Sequence, residues 1–554
     1  MDERGRMGIV CKEFLDRFTQ SAAFQNAIAL LMILIFAGLN FVSVQRGFSL
    51  TTDEDKHYLY GSNIVAGNSN RLDDSKMPVT ALNAIPARIA SFLDDGLAKR
   101  FLEKYYTARS VTILFSCLLA FLVFAWARQL YGFPPALFSL ILFVWDPNIM
   151  AHSQLVANDL YVTAGTAFTF YTLWMFANKR TWRNGLLFGV ALGVSQLTKY
   201  SAIALIPLVI LALFIYDGRV WQDALHNFGK FKALVWQYLV YGVCMLLVVI
   251  VIINVGFLFN RTFTPFGEFP LRSDVFLRLS HEFPFLNAFP MPVPYPYLRG
   301  LDAMRNTEVT GDFSGNVYLL GRVNLQGGFP GYYFVAYFLK VPIASQIFIL
   351  AGLVAYVLNK ERRERFLRDE MFLLLPVAFF FVYFNFFLDT QIGIRYILPM
   401  FPLLYVFTAN LFIPWKRFSP VKKAISLLLI VFLIISVLSY HPYYLSYFNE
   451  IVWDRKDAYK YLADSNLDWG QGKNELKQYL EEHRGALYSP KNVKSGRIVV
   501  RVNDLVGVTE DPARYAWLRD NFEPVDTIAY AYLVYKIDPE EIEQLCASTN
   551  YCDR

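Results

Sequence analysis

The residues best suited to chemistry form an acidic cluster, Asp53-Glu54-Asp55, directly after an apolar run at residues 27–44. That run is about long enough to cross a bilayer as a helix, so the cluster is predicted to lie at a membrane surface. Adjacent carboxylates beside lipid are costly to hold unless they are solvated, paired or used in a function. The pattern therefore leaves two interpretations, a solvated acidic loop or a functional site.

The composition excludes an ordinary soluble protein. Of the 554 residues, 55% are hydrophobic and only 18% are charged, which is typical of a polytopic membrane protein. The net charge of +6 is small for this length, and the sequence has no basic tail or nucleic-acid-binding motif. We therefore predict an α-helical polytopic membrane protein that has no nucleic acid partner.

Eleven apolar segments are predicted to be spanning helices. They are residues 27–44, 110–126, 134–146, 159–177, 185–199, 201–216, 235–258, 333–357, 371–388, 393–413 and 424–440. Lys and Arg concentrate in alternate loops, which predicts a cytoplasmic N-terminus. Met1–Arg17, Lys179–Arg183 and Lys360–Arg368 then lie inside, whereas the short outer loops 147–158 and 389–392 contain no Lys or Arg.

Two domains are predicted from these segments. Residues 1–440 form a transmembrane domain with large outer loops at 45–109 and 259–332, and residues 441–554 form a small outer α/β domain. Within the first loop, residues 85–102 mix apolar and charged residues in a pattern that favours a helix on the membrane surface. The second loop is rich in Pro and aromatic residues, which predicts irregular structure with short helices.

The outer domain has its own pattern of predicted elements. Residues 498–502 and 528–537 resemble strands, and residues 474–483 and 512–521 resemble helices. Cys546 and Cys552 lie in this domain, where the predicted topology permits an oxidised disulfide.

Several charged residues are predicted at the outer membrane surface, although each alone is more often an interfacial side chain or half of a structural pair. They are Lys76, Asp159, Lys199, Lys340 and Arg395. Together they place cations at one membrane depth, opposite the acidic cluster. Such cations suit a lipid-linked phosphate, and a nearby carboxylate suits a hydroxyl nucleophile.

These residues and the motifs around them resemble glycosyltransferase family 39, a family of lipid-carrier-dependent enzymes in the GT-C class. That family includes the protein O-mannosyltransferases and the lipid A aminoarabinose transferase. The matching segments occur in order along most of the chain: Asp53-Glu54, Lys76-Met77-Pro78-Val79, Asp146 to Asp159, Leu197-Thr198-Lys199-Tyr200, Gly328 to Pro342, Arg395 to Pro399 and Asp464 to Gln471. Met77 replaces the first Pro of the Pro-Pro pair that is common in relatives.

The resemblance implies a multi-pass enzyme of the bacterial inner membrane with its active site on the extracytoplasmic side. It would transfer a hexosyl or pentosyl group from a polyprenyl phosphate carrier to a hydroxyl of a protein, lipid or glycan, with inversion. It implies that Asp53 is the catalytic base, and that Glu54 beside it either holds the acceptor or steadies a loop cation. The implied phosphate-binding residues are Lys76, Lys199, Lys340 and Arg395.

Two further groups of residues are assigned with alternatives. Asp159, with His152 nearby, either orients one of the cations or holds a divalent ion, and no other cofactor is expected. Candidates for the acceptor side are His57, Tyr332, Tyr333, Asp468 and Trp469.

The main alternative of another class is a polytopic secondary transporter or flippase of a lipid-linked or anionic substrate. It would explain the many helices and the charges within the membrane. The chain has no repeated half with matching broken helices, and its large outer loops favour an enzyme on the outer face.

Overall fold

The computed structural model describes residues 21–46, 49–68, 75–310, 316–325 and 327–553. The predicted cytoplasmic segment Met1–Arg17 lies outside the described residues. The first half of the chain contains helices α1 (Ala22–Gln45), α2 (Glu54–Val65), α3 (Ala81–Ala90), α4 (Leu97–Leu102), α5 (Tyr105–Tyr131), α6 (Phe133–Val144), α7 (Pro147–Ser153), α8 (Asn158–Asn178), α9 (Trp182–Ser195), α10 (Leu205–Tyr216), α11 (Gly218–Leu225) and α12 (Phe228–Gly256).

The second half continues with helices and adds short strands. Its helices are α13 (Asp274–Glu282), α14 (Tyr295–Thr310), α15 (Tyr332–Lys340), α16 (Ile343–Leu358), α17 (Lys360–Glu364), α18 (Met371–Phe386), α19 (Met400–Thr408), α20 (Pro420–Leu438), α21 (Lys473–Glu482), α22 (Val502–Leu505), α23 (Ala516–Arg519) and α24 (Pro539–Ser548). Its strands are β1 (Val317–Leu319), β2 (Arg322–Asn324), β3 (Leu487–Tyr488), β4 (Gly496–Arg501), β5 (Asp526–Ile528) and β6 (Tyr532–Ile537).

The helices make this a polytopic membrane fold. In the described part of the chain, four helices are long and apolar enough to cross a membrane: α1, α5, α12 and α20. The number rises to seven if three bent pairs each count as one span, namely α6 with α7, residues 200–216 with α11, and α15 with α16. All eleven predicted segments lie in helical structure, while the number of crossings stays a prediction.

The predicted span at residues 333–357 is wrong as one straight helix. It is divided into α15 and α16, which meet at 111°. The break falls at Val341-Pro342, because proline has no amide proton and disfavours helical backbone in the residue before it. The Asn449 side chain donates to the carbonyls of Phe338 and Val341 at 2.6 and 2.8 Å, so the open end of α15 is satisfied.

The surface helix predicted at residues 85–102 is also interrupted. The structure has α3 and α4 there, separated by a turn at residues 91–96. The turn contains Asp94-Asp95-Gly96, a sequence that favours turns over continued helix. In the second outer loop, α13 and short 3₁₀ turns agree with the prediction, but the 16-residue helix α14 and the β1–β2 hairpin were not expected.

The C-terminal region contains a four-stranded sheet in the order β3-β4-β6-β5. Strands β4, β6 and β5 pair antiparallel, and β3 pairs parallel to β4. The predicted strands are confirmed as β4 and β6, and the helix predicted at 474–483 is confirmed as α21. The helix predicted at 512–521 is wrong in extent, because only α23 forms there.

Strand β4 packs against a different cluster of apolar residues on each side of the sheet. Ile498 and Val500 pack into the large core that also contains the membrane helices, whereas Val499 faces the opposite side and packs with Leu476 of α21. The predicted boundary at residue 440 stays a prediction. Cys546 and Cys552 form a disulfide, as their predicted location permits.

Candidate active site

A cavity of about 330 Å³ brings together residues that are far apart in the chain, from Asp53 to Tyr396. Its polar end is lined by Asp53, His57, Lys76, Asn158, Asp159, Lys199 and Arg395. Its other wall is largely apolar and comes from α14, from α18 and the residues after it, and from the 3₁₀ turn before α10. That wall contains Ile203, Ala204, Leu301, Met304, Phe379, Phe380, Phe384 and Leu388. The cavity therefore combines a charged end with a lipid-like wall.

Asp53 lies at the N-terminus of α2, where it precedes the first helical residue. Its carboxylate is 4.0 Å from the Lys76 ammonium. Both residues line the cavity, and the Asp53 side chain is 34% exposed whereas the Lys76 side chain is 6% exposed. This arrangement leaves the Asp53 carboxylate accessible from the cavity.

Close backbone packing holds Lys76 near Asp53. Gly61 of α2 lies against the carbonyl of Thr80, and a Cβ at Gly61 would overlap with that carbonyl. The amide of Val79 donates to the carbonyl of Leu197 at 3.1 Å, which joins the Lys76 segment to the Lys199 segment. Glycine at position 61 thus permits the close approach of α2 to the segment that carries Lys76.

A second charged group surrounds Asp159 at the start of α8. The Lys199 ammonium donates to one carboxylate oxygen at 2.8 Å, and an Arg395 nitrogen lies 3.5 Å from the other. His152 Nδ1 is 4.0 Å from that second oxygen. The aromatic ring of Tyr396 lies beneath the Lys199 ammonium at 4.4 Å. Asp159 is buried and contacts both cations, and its role in orienting them stays a prediction.

No metal site accompanies this group. Within the described ranges, no cluster of three or more His, Cys, Asp or Glu residues could hold a metal ion. The oxygens of Asp159 face cations instead.

Arg395 has a fixed orientation. Its Nε donates to the carbonyl of Ile392 at 3.0 Å, and its guanidinium lies 4.1 Å over the ring of Trp469. Trp469 is buried and does not line the cavity. A guanidinium held between an aromatic face and a carboxylate loses little conformational entropy when it binds an anion.

Glu54 differs sharply from its neighbour Asp53. It is completely buried, and Arg109 binds it through two nitrogens at 2.6 and 2.9 Å. Backbone amides of Thr51 and Val156 also donate to it, each at 2.9 Å. Glu54 does not line the cavity. It joins α2 to α5 and to the loop before α8.

His57 lies one turn after Asp53 on α2, and it lines the cavity. The residue is 8% exposed, and its Nδ1 has no hydrogen-bond partner among the residues that the structure describes. Burial, followed by the charge of Lys76, lowers the pKa of His57 to about 3. The imidazole is therefore neutral at physiological pH.

Lys340 is the clearest correction to the predicted site. It is buried outside the cavity, and its ammonium donates to the carbonyls of Leu445 and Asn466. The ring of Phe448 lies 4.8 Å from the same ammonium. Lys340 is the last residue of α15, next to the break. From there its side chain reaches these two carbonyls of the C-terminal segment.

The remaining predicted residues also lie outside the cavity lining. Asp468 is buried and pairs with Arg501 at 2.6 Å, and Asn466 donates to the Tyr332 hydroxyl at 2.7 Å. Tyr333 is buried against Tyr332 and Phe384. His152 lies behind Asp159, with ring centroids of His152 and Trp469 6.1 Å apart. The structure thus places these residues around the site rather than in it.

Chemically, the cavity lining contains four cations, Lys76, Lys199, Arg305 and Arg395, and three carboxylates, Asp53, Asp159 and Glu308. This set has a single excess positive charge, which suits an anionic ligand. The apolar wall suits a hydrocarbon chain attached to that anion. An exposed carboxylate beside fixed cations can also accept a proton while negative charge develops on a leaving group.

The family comparison agrees with this chemistry. A family model described as dolichyl-phosphate-mannose-protein mannosyltransferase matches residues 97–254, a segment that contains Asp159 and Lys199. This chain resembles the GT-C class of glycosyltransferases. The resemblance predicted from the sequence motifs is confirmed by this match. A search of curated proteins finds no match to the chain.

Solved GT-C structures are similar to the chain at low identity. ArnT from Cupriavidus metallidurans in the apo state is 15% identical with a TM-score of 0.48, and the match covers 74% of this chain and 63% of ArnT. The oligosaccharyltransferase AglB from Archaeoglobus fulgidus, solved with an inhibitory peptide and a dolichol-phosphate, is 14% identical with a TM-score of 0.49. That match covers 75% of this chain and 56% of AglB. The chain thus spans less than two thirds of either protein, and no residue role is transferred from them.

Sequence reasoning missed several residues in and around this cavity. Arg109 could have been noticed, since it is a charged residue immediately before the apolar segment 110–126. Asn158 and Thr390 carry no comparable signal, because neutral polar residues are common in loops. The Arg305–Glu308 pair on α14, with a 3.1 Å contact, also lines the cavity and lies in a helix that was not predicted.

Proposed function

We propose that this protein is a membrane glycosyltransferase that moves a sugar from a polyprenyl phosphate carrier to an acceptor hydroxyl. The observation that carries the proposal is the convergence, in one cavity, of Asp53 and three cations beside an apolar wall. Each part matches one part of the donor: the cations match the phosphate, and the apolar wall matches the start of the prenyl chain. The carboxylate matches the acceptor hydroxyl.

Asp53 is proposed as the general base. An alcohol is a weak nucleophile at neutral pH, and a positioned carboxylate that takes its proton contributes roughly 10²–10⁴-fold. The oxygen attacks the anomeric carbon, the bond from that carbon to the phosphate oxygen breaks, and the electron pair leaves with the phosphate. Attack opposite the leaving group inverts the anomeric configuration in one step.

Lys76, Lys199 and Arg395 are proposed to bind the phosphate. The phosphate gains negative charge as the glycosidic bond breaks, so cations fixed before the reaction stabilise the transition state more than the ground state. Asp159 holds Lys199 and Arg395 at 2.8 and 3.5 Å, which supports their orientation before the donor binds. Lys340 is not part of this proposal.

The proposed location follows from the distribution of Lys and Arg. With the N-terminus in the cytoplasm, the loop that carries Asp53 and the C-terminal region both lie on the extracytoplasmic side of a bacterial inner membrane. A lipid-linked donor would reach the cavity from the bilayer along the wall formed by α14 and α18. The acceptor is proposed to be a hydroxyl of a protein, lipid or glycan.

Transfer with a labelled donor tests the proposal. Purified protein in lipid nanodiscs would be given polyprenyl phosphate sugars labelled in the sugar, together with a panel of acceptors, and new glycosides would be measured. Nuclear magnetic resonance of the product gives the anomeric configuration, which is expected to be opposite to that of the donor. In proteoliposomes, a transporter or flippase would move the label across the bilayer without forming a glycoside, and that result would contradict the proposal.

A further inference from the structure

Three buried neutral polar atoms of residues that line the cavity lack a partner among the described residues. They are Nδ1 of His57, Oδ1 of Asn158 and Oγ1 of Thr390, none of which has a hydrogen-bond partner in the described part of the chain. Their residues are 8%, 6% and 5% exposed, respectively, and all three line the same cavity. Most buried polar groups in native proteins are hydrogen-bonded, so three exceptions around one cavity need an explanation.

The positions of these residues relative to the charged groups are informative. The His57 amide donates to the carbonyl of Asp53 at 3.1 Å, so the imidazole lies one turn from the proposed base. Asn158 directly precedes Asp159, and Thr390 lies shortly before Arg395 on the segment that links α18 to the following helix. Each neutral group therefore lies close in the chain to a charged member of the site.

Their charge separates them from the phosphate-binding residues. Asn and Thr side chains are neutral, and His57 is neutral at physiological pH because burial and Lys76 lower its pKa to about 3. Neutral donors and acceptors match hydroxyl groups, which can donate and accept at once, better than they match a phosphate. The cavity already has Lys76, Lys199 and Arg395 for the anionic part of a ligand.

We propose that His57, Asn158 and Thr390 form a subsite that binds the hydroxyl groups of the donor sugar, beside the Asp53 carboxylate and the cations that bind the phosphate. This inference rests on the proposed function, and it assigns His57 to the donor rather than to the acceptor. The sugar ring is held from three separate elements, α2, the start of α8 and the segment after α18. Such a subsite orients the anomeric carbon between base and leaving group.

Binding measurements with and without the sugar test this subsite. The probes are undecaprenyl phosphate and its mannosyl, glucosyl, galactosyl and arabinosyl forms, with the full-length protein in nanodiscs. Thr390→Val keeps the shape of the side chain and removes its hydroxyl group. It is expected to lower the affinity for the tightest-binding sugar-bearing probe about three- to tenfold, since only one neutral hydrogen bond is lost. The affinity for undecaprenyl phosphate is expected to stay within about twofold of the wild-type value. Asn158→Ala and His57→Phe are expected to act in the same direction.

Two controls keep the experiment decisive. Thr390→Ser retains the hydroxyl group and is expected to restore binding. Thr166→Val is a matched change, because Thr166 is also buried with an unpartnered hydroxyl within the described ranges but does not line the cavity. It is expected to leave the affinity for both probes unchanged.

Several outcomes would overturn the inference. The first two are an equal loss of affinity for both probes in Thr390→Val, and no loss of affinity in any of the three variants. The third is a wild-type protein that binds no sugar-bearing probe more tightly than undecaprenyl phosphate. The fourth is variants in which only the KM for the acceptor rises. Failure of the proposed function has a different signature. In that case undecaprenyl phosphate itself would not bind, or its binding would not respond to Arg395→Ala.

Discussion

The backbone carbonyl of Trp469 accepts hydrogen bonds from the amide and the hydroxyl of Thr52, at 2.9 and 3.1 Å. Thr52 directly precedes Asp53, and the two bonded residues are 417 positions apart in the chain. Two more bonds reinforce the junction, since the Ser49 amide donates to the Gln471 carbonyl and the Asn474 amide donates to the Ser49 hydroxyl. The proposed base is therefore positioned by the C-terminal region as well as by α2.

Thr52→Val tests whether this junction positions Asp53. The variant loses the hydroxyl bond to Trp469 and keeps the amide bond, so the loop loosens without unfolding. We expect kcat to fall about three- to tenfold with donor affinity unchanged, because small displacements of a base reduce rate more than binding. Thr52→Ser retains a hydroxyl and is expected to restore kcat. A fall in donor affinity with constant kcat would contradict a positioning role.

Asp53→Asn tests the proposed base. The substitution keeps the shape of the side chain and removes the basic oxygen. Transfer is expected to fall by at least about 100-fold, on the scale of a missing general base. Binding of undecaprenyl phosphate, measured separately, is expected to remain, because the three cations are unchanged.

The comparison with Glu54 makes this prediction sharp. If Asp53→Asn remained active while a folded Glu54→Gln protein was inactive, the two roles would be exchanged. If both variants remained active, the first outer loop would not be the catalytic centre.

Glu54→Gln is expected to act on stability instead of chemistry. It removes the charge that pairs with Arg109 inside the protein, and breaking a buried ion pair typically costs about 3–5 kcal/mol of folding free energy. The expected result is a lower Tm in detergent, with turnover per folded molecule retained. Glu523→Gln is a suitable control, since the Glu523 carboxylate pairs with Lys460 at 2.9 Å on the exposed surface, where such pairs contribute about 0–1 kcal/mol. An equal Tm for the Glu54→Gln variant and wild type would contradict the structural role.

The helices were the part of the fold that the sequence predicted best. Apolar runs mark helices directly, because the backbone must satisfy its own hydrogen bonds wherever it crosses lipid. The break at Val341-Pro342 was visible as a proline but was not used, since proline is tolerated in some membrane helices. The β1–β2 hairpin has strands of three residues, too short for a periodic signal.

The site was predicted in part, and the failures have one physical cause. Loop charges and helix direction give the depth of a residue in the membrane but not the direction in which its side chain points. Lys199 and Arg395 reach the cavity, whereas Lys340 at a similar predicted depth points to Leu445 and Asn466. Asp53 and Glu54 are adjacent in sequence, yet only the structure distinguishes the exposed carboxylate from the buried one.

Cysteine accessibility tests the predicted topology. In a protein in which Cys11, Cys117 and Cys244 are replaced by Ser, single cysteines would be introduced at Asn492 and Glu361, which are both exposed. Cys546 and Cys552 are bonded to each other and are not expected to react. A membrane-impermeant maleimide added to intact spheroplasts should label position 492 and not position 361. The reverse pattern would exclude an extracytoplasmic active site.

Arg395 and Lys340 provide the last test, because the sequence assigned both to the phosphate and the structure separates them. Arg395→Ala removes a cation from the cavity. It is expected to lower the affinity for undecaprenyl phosphate roughly 10- to 100-fold, the range for hydrogen bonds to charged groups. Arg395→Lys should recover part of that affinity, since it retains the charge but loses the planar guanidinium that lies over Trp469. Lys340→Met leaves two buried carbonyls unpaired, so it is expected to lower Tm. The Kd of the folded variant for undecaprenyl phosphate is expected to stay within about twofold of the wild-type value. Loss of donor affinity in Lys340→Met at unchanged Tm would return Lys340 to the phosphate site, and unchanged affinity in Arg395→Ala would remove Arg395 from it.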